Sequence, residues 1–150
     1  MSEGLAGLEV LVRRTQLESA LARMVDGSVP AGWQSLRFEG RSAGTAAQLQ
    51  LSVHRNGAVT TAEAPDGAFD IIVQLRKLMY RPGYGTWFSL VMNIESQGHL
   101  ETLYTFDDEA GWSFRIADES YREDQEWFPR SPEHIPAWLA PKLGTGKALQ

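Results

Sequence analysis

Leu49-Gln50-Leu51-Ser52-Val53-His54-Arg55-Asn56-Gly57-Ala58-Val59-Thr60-Thr61-Ala62-Glu63 is the stretch that decides the fold. Leu49, Leu51 and Val53 alternate with polar neighbours, the two-residue period of a half-buried strand. Asn56-Gly57 supplies the residues that best tolerate the two positive φ angles of a type I′ turn, so Ala58 to Glu63 is expected to return as the second arm of a hairpin. An antiparallel sheet is therefore the frame, and the flanking segments must supply its other strands and its cover.

Upstream, Leu36 and Phe38 alternate with Arg37 and Glu39 as in a further short strand, set off by the break at Pro30-Ala31-Gly32. Before that break, Leu5, Leu8, Leu11, Val12, Leu17, Leu21, Met24 and Val25 draw an apolar stripe along a helix ending near Asp26-Gly27. Downstream, Phe69, Ile72, Val73, Leu75, Arg76 and Met79 recur at helical spacing until Arg81-Pro82-Gly83 stops them. Thr86 to Ile94 is apolar on both faces, as an interior strand must be, and Ser96-Gln97-Gly98 turns it back into His99 to Phe106. Trp112 to Ile116 is a candidate for one more strand. Asp118 to Trp127 reads as a polar helix, and Ser131-Pro132-Glu133 as a helix start with Ser131 as cap and Pro132 in the first turn. Trp127, Phe128, Ile135, Trp138 and Leu139 are too apolar for a free tail and are expected to pack back.

The expected fold class is α+β in a single domain over residues 1–141: an N-terminal helix, a mainly antiparallel sheet with a central helix packed on it, and short C-terminal helices. Residues 142–150 read as a frayed tail. A chain of 150 residues with 43% hydrophobic content buries a core without disulfides, and it has no cysteine to form one. That absence also excludes thiolate nucleophiles and cysteine-ligated zinc. No run of about eighteen apolar residues spans a bilayer and Met1-Ser2-Glu3-Gly4 does not open a secretory signal, so no membrane association and a cytoplasmic location are expected.

Residues 1–100 carry equal numbers of acidic and basic side chains, so the whole net charge of −5 lies in the last third. There Asp107, Asp108, Glu109, Asp118, Glu119, Glu123, Asp124 and Glu126 fall within twenty residues, relieved by Arg115 and Arg122. This bias is the opposite of a nucleic-acid binder's. It fits either a solvated face that aids solubility or a surface that steers and docks a basic partner.

Motifs that carry chemistry are sparse. His54, His99 and His134 lie on separate elements without helical zinc spacing, and surface or capping roles are expected for them. Asp107-Asp108-Glu109 has oxygen ligands for a hard cation but not the spacing of a calcium loop, and reads as a turn. Gly144-Thr145-Gly146-Lys147 shares the end of a phosphate-binding loop but lacks the upstream glycine, the following Ser/Thr and the strand and helix around it. No serine sits in a nucleophile elbow and no acid–base carboxylate pair stands out, although distant positions can assemble one. No metal, no cofactor and no catalytic residue is assigned. Of five tryptophans, one or two exposed ones would be anchors for a partner; Trp87 and Trp112, with Tyr84, are the loop-adjacent candidates.

The segment Gly85-Thr86-Trp87-Phe88-Ser89-Leu90-Val91-Met92-Asn93-Ile94-Glu95-Ser96-Gln97-Gly98, closing at Tyr104-Thr105-Phe106-Asp107-Asp108, resembles the central motif of the YezG-like bacterial immunity proteins. The order of helix, Gly32-Trp33 step, strands, helix and motif hairpin is similar over residues 5–109. The ending from Phe128 to Leu139 resembles the tails of actinobacterial members, among them relatives of the immunity factor for the tuberculosis necrotizing toxin. The resemblance implies a non-enzymatic antitoxin of a polymorphic toxin system, whose partner is a cognate toxin domain with a basic active-site cleft. On that reading Asp107, Asp108, Glu109, Asp118, Glu119, Glu123 and Asp124 steer the encounter, and Tyr84, Trp87 or Trp112 anchor the complex. Two other readings stay open: a binding module for a different protein or ligand, and a small hydrolase or isomerase built from scattered carboxylates. Self-association is left open.

Overall fold

Asn56 and Gly57 both hold positive φ, 51° and 77°, and turn the expected hairpin between β2 (Ala46–Arg55) and β3 (Ala58–Ala62). The computed structural model describes residues 2–144, with side chains from residue 7. Around this hairpin stand α1 (Ser2–Gly27), β1 (Ser35–Ala43), α2 (Ala68–Leu78), β4 (Ser89–Glu95), β5 (Leu100–Thr105) and α3 (Asp118–Trp127). Short 3-10 turns follow at Pro132–His134 and Ala140–Leu143. The sheet is antiparallel throughout, in the order β3-β2-β1-β4-β5. The fold is a single α+β domain with helices packed on a five-stranded sheet.

One face of the sheet is apolar because the strands alternate. Leu36 and Phe38 of β1, Leu51 and Val53 of β2, and Leu90, Met92 and Ile94 of β4 are buried together. Ile71, Ile72 and Leu75 of α2 and Leu17, Leu21 and Val25 of α1 cover them, so β-period and helix-period stripes meet in one core. The other face carries Arg37, Glu39, Arg41, Gln50 and Asn93. Its side chains bond one another, as in Arg41 Nη2 to Glu39 Oε1 at 2.9 Å and Arg41 Nη1 to Gln50 Oε1 at 2.8 Å.

A second, smaller cluster closes one end of the sheet, where Ala43, Phe88, Ala110, Tyr121 and Leu139 are buried. It explains most departures from the expected elements. β1 runs on to Ala43 and pairs along its whole length with β2 through a tight turn at Gly44-Thr45, with Gly44 at φ 57°. Gly44 is obligatory there for a second reason, since a Cβ would lie 2.3 Å from the Ser120 carbonyl of α3. β4 starts at Ser89, and just before it Trp87 and Phe88 are both buried, one in each cluster. Trp112 to Ile116 is not a strand. Trp112 N–H donates to Ala110 O at 2.9 Å, a tight turn in place of an extended backbone.

Three further corrections have local causes. Only the C-terminal half of the α1 stripe meets the core; Leu8, Leu11 and Val12 are exposed. Ser131 makes no cap bond; its hydroxyl lies 3.1 Å from Gly83 O instead. Lys142 and Leu143 belong to the last 3-10 turn and Leu143 packs on the second cluster; the expected tail from residue 145 on lies outside the described residues. Of the apolar tail residues, Phe128, Ile135, Trp138 and Leu139 pack back, whereas Trp127 is 51% exposed. Among the described residues no helix is long and apolar enough to cross a membrane.

Candidate functional site

The acidic loop begins where β5 ends, and its course is set by Arg130. This guanidinium is 5% exposed, and its Nη2 donates to Phe106 O at 2.6 Å and to Thr86 O at 3.2 Å. Its Nη1 donates to Asp107 Oδ1 at 3.0 Å and to His134 O at 3.2 Å. One buried cation thus gathers the start of β4, the end of β5 and the C-terminal turn. Gly85, at φ 81°, is the place where the backbone lets it pass, since a Cβ there would lie 2.5 Å from Arg130 Nε.

Beyond Asp107 the loop is pinned from three more directions. Trp138 Nε1–H donates to Asp107 O at 2.7 Å, and Trp112 Nε1–H donates to the Tyr121 hydroxyl of α3 at 3.0 Å. Ser113 N–H donates to Gln48 Oε1 of β2 at 3.1 Å, and the Gln48 amide returns a bond to the Ser113 hydroxyl. The segment from Asp107 to Ser113 therefore crosses from the β5 edge, past β4 and β1, to β2, with side-chain bonds holding what is not regular secondary structure. Burial raises the Tyr121 hydroxyl pKa above its ordinary value, and nearby Glu109, Asp118 and Asp124 push it further up while the Trp112 hydrogen bond opposes them. Tyr121 is consequently held in its neutral form.

Two concavities flank the acidic run Asp107-Asp108-Glu109. One, of about 460 Å³, is lined by Glu109, Trp112, Phe114, Asp118 and Tyr121 together with Lys142. Lys142 Nζ lies 3.8 Å from Glu109 Oε2 and 5.6 Å from the centre of the Tyr121 ring, so a cation already sits against this acidic and aromatic wall. The other, of about 280 Å³, is lined by Tyr84, Asp107, Glu133, His134, Ile135 and Pro136. Its floor is the stack of Tyr84 on His134, with ring centres 3.9 Å apart.

The expected site residues divide accordingly. Asp107, Asp108, Glu109, Asp118 and Glu119 are exposed, Tyr84 is 44% exposed and Trp112 is half-buried. Asp124 is not at the surface. It is 4% exposed and accepts both Arg76 Nη1 at 2.6 Å and Nη2 at 3.0 Å, and Gly44 N–H at 2.9 Å. Glu123 is half-buried and receives Thr45 N–H and Oγ–H at 3.1 and 2.9 Å, so it braces the β1–β2 turn. Trp87 is fully buried and, among the described residues, its Nε1 has no hydrogen-bond partner; no partner reaches it. Phe114, Tyr121, Arg130 and Lys142 were not among the expected site residues, and Arg76 was read only as one member of a helical stripe. That position was itself a signal, since a cation between Ile72, Leu75 and Met79 calls for a buried carboxylate.

No protein-family model matches the chain, and no curated protein matches it.

Among the described residues, the one arrangement that resembles a nucleophile and its base is Ser131 Oγ at 2.8 Å from His134 Nδ1. Both atoms also lie 3.1 Å from Gly83 O, which only accepts. A protonated Nδ1 and a hydroxyl turned to that carbonyl satisfy all three contacts, and in that tautomer Nδ1 is not a base for Ser131. Among the described residues no group of three His, Asp or Glu side chains is placed to hold a metal ion.

Proposed function

We propose that this chain is an immunity-type binding protein, whose acidic loop covers the basic cleft of a toxin domain made by the same cell. The observation that carries the reading is the run Asp107-Asp108-Glu109, exposed, pinned through Arg130, Trp138, Trp112 and Gln48, and flanked by two aromatic-lined concavities. A loop held before the partner arrives loses little conformational freedom on binding, and its charges raise the encounter rate with a basic surface. A toxin that handles nucleic acid or a phosphate-bearing dinucleotide has such a surface because its substrate is anionic. Tyr84, Trp112 and Phe114 are the aromatic groups within reach of that partner. The resemblance of residues 85–98 to the YezG-like motif points the same way.

The test is co-purification from the native cell with a tag at the C-terminus, followed by mass spectrometry. Recovery of a toxin-domain polypeptide in near-equal amount is expected; recovery of nothing from cells that express a neighbouring toxin refutes the proposal. With the toxin in hand, Asp108→Lys/Glu109→Lys/Glu119→Lys should slow association and flatten its salt dependence, while Asp124 contributes to stability alone.

A different ligand-binding role draws on one feature, a cleft of about 320 Å³ lined by Phe69, Val73, Trp127 and Phe128. Its size falls at the lower bound for small-molecule sites.

A further inference from the structure

The sheet ends on one side in β3, whose outer edge is bare. Ala58, Val59, Thr60 and Thr61 are all exposed, Val59 by 67%. β3 contains no charge and no proline, the usual guards of a free edge. The opposite edge differs: β5 carries Glu101, and α1 reaches over it where Tyr104 Oη–H donates to Glu18 at 2.6 Å.

Register identifies which backbone groups β3 leaves open. The two-residue turns Gly44-Thr45 and Asn56-Gly57 make Ala43–Ala46 and Arg55–Ala58 hydrogen-bonded pairs, and bonding alternates along each ladder from there. Ala58, Thr60 and Ala62 consequently bond β2, and the N–H and C=O groups of Val59 and Thr61 point outward. Gln34 N–H donating to His54 O, on the β1 side of β2, agrees with this alternation.

We infer that β3 pairs with β3 of a second copy of this chain, antiparallel about a two-fold axis through Thr60. That axis sets Val59 opposite Thr61 of the other copy, and Thr61 opposite its Val59. All four outward groups of each strand are then used in four hydrogen bonds, with Thr60 facing Thr60. The facing side chains are β-branched and uncharged, a favourable cross-strand combination. Self-complementarity is what selects a second copy over an unrelated strand, because a two-fold contact uses one surface twice and this register needs no further sequence. A contact of five residues a side falls below the roughly 1,200 Å² of a stable interface. The pairing is therefore weak and concentration-dependent, and the acidic loop, which reaches β2 at Gln48 near the other end of that strand, stays open on each copy.

Sedimentation of the purified full chain without any partner tests this from about 10 µM to about 1 mM, the span over which weak interfaces fill. Wild type should move from the 16.7 kDa monomer towards twice that mass. Val59→Lys/Thr61→Lys sets lysines opposite each other in both pairs and should stay monomeric with an unchanged circular dichroism spectrum. Val59→Lys/Thr61→Glu sets a lysine opposite a glutamate in both pairs and should regain the dimer. A wild type that is monomeric throughout, or a dimer that survives the double lysine variant, overturns the inference. Because no toxin enters the experiment, neither outcome bears on the immunity reading.

Discussion

The two buried clusters are built by different means. Between the helices and the sheet, Leu21, Val25, Phe38, Ile72, Leu75 and Met92 meet by apolar contact, and their positions follow from helical and strand periods. At the end of the sheet, Phe88 meets Tyr121 edge to face and is also flanked by cations. Arg76 and Arg130 both lie near the face of Phe88, at 5.8 and 5.2 Å from its centre, and each guanidinium spends its remaining donors on carbonyls and carboxylates. The first cluster makes the fold stable. The second fixes where the acidic loop goes, by bonds that are directional and cannot be shared with alternatives.

The sharpest way to break this contrast is to remove one partner of the buried pair. Asp124→Ala leaves the Arg76 guanidinium, 3% exposed, without its bidentate carboxylate and leaves Gly44 N–H without an acceptor. A loss of about 3–5 kcal/mol is expected in urea unfolding. Replacing both partners together, Arg76→Met with Asp124→Leu, should recover most of that, since apolar residues of similar volume dispense with the desolvation of both charges. Leu75→Ala, in the apolar cluster, has no such rescue and should cost about 2–5 kcal/mol from cavity formation. A double replacement as damaging as Asp124→Ala would mean that the second cluster rests on packing and not on charge.

A smaller effect separates backbone strain from contact. Gly57 and Gly85 have nearly the same φ, 77° and 81°, but a Cβ on Gly57 meets nothing within 4 Å whereas one on Gly85 meets Arg130. Gly57→Ala should cost about 1–2 kcal/mol for the left-handed conformation alone. Gly85→Ala should cost more and should also broaden the amide resonances of Asp107 and Asp108, because Arg130 must shift. Equal costs and an undisturbed loop would remove Arg130 from its organising place.

How much could be read in the sequence follows from the same contrast. The Asn56-Gly57 turn, the stripe from Ile72 to Met79 and the hairpin through Ser96-Gln97-Gly98 were legible because turn chemistry and periodicity are local. The turn at Gly44-Thr45 was not, since Ser42, Ala43, Ala46 and Ala47 are small and show no alternation; what Gly44 and Ala43 meet is α3, far along the chain. Asp118, Glu119, Glu123 and Asp124 read alike on a polar helix. Only the partner 48 residues away separates Asp124 from its neighbours. Trp87 read as a surface anchor because a glycine-rich loop precedes it, yet the loop exists to bring Arg130 past Gly85 and so turns Trp87 inward.

The mildest test compares one tyrosine from each region in alkali. The Tyr104 hydroxyl pKa is pushed well above its ordinary value of 10.0 by burial and by the Glu18 carboxylate it donates to. Tyr121 is raised by burial too, but the Trp112 N–H that its oxygen accepts favours the phenolate and offsets part of the rise. A tyrosine whose proton is held more tightly in the folded state contributes stability that is complete below pH 10. The contribution is lost as the pH rises from there towards the folded-state value, because the unfolded chain ionises first. Unfolding free energy should therefore fall once the pH passes 10, and Tyr104→Phe should flatten that fall more than Tyr121→Phe does. At neutral pH each variant gives up one hydrogen bond, about 1 kcal/mol, with the larger loss at Tyr104, whose acceptor is charged. Urea titrations of the three proteins on either side of pH 10 decide it. An equal slope in wild type and Tyr104→Phe would mean that the Glu18 bond does not hold the phenol's proton, and that α1 is free to leave the β5 edge.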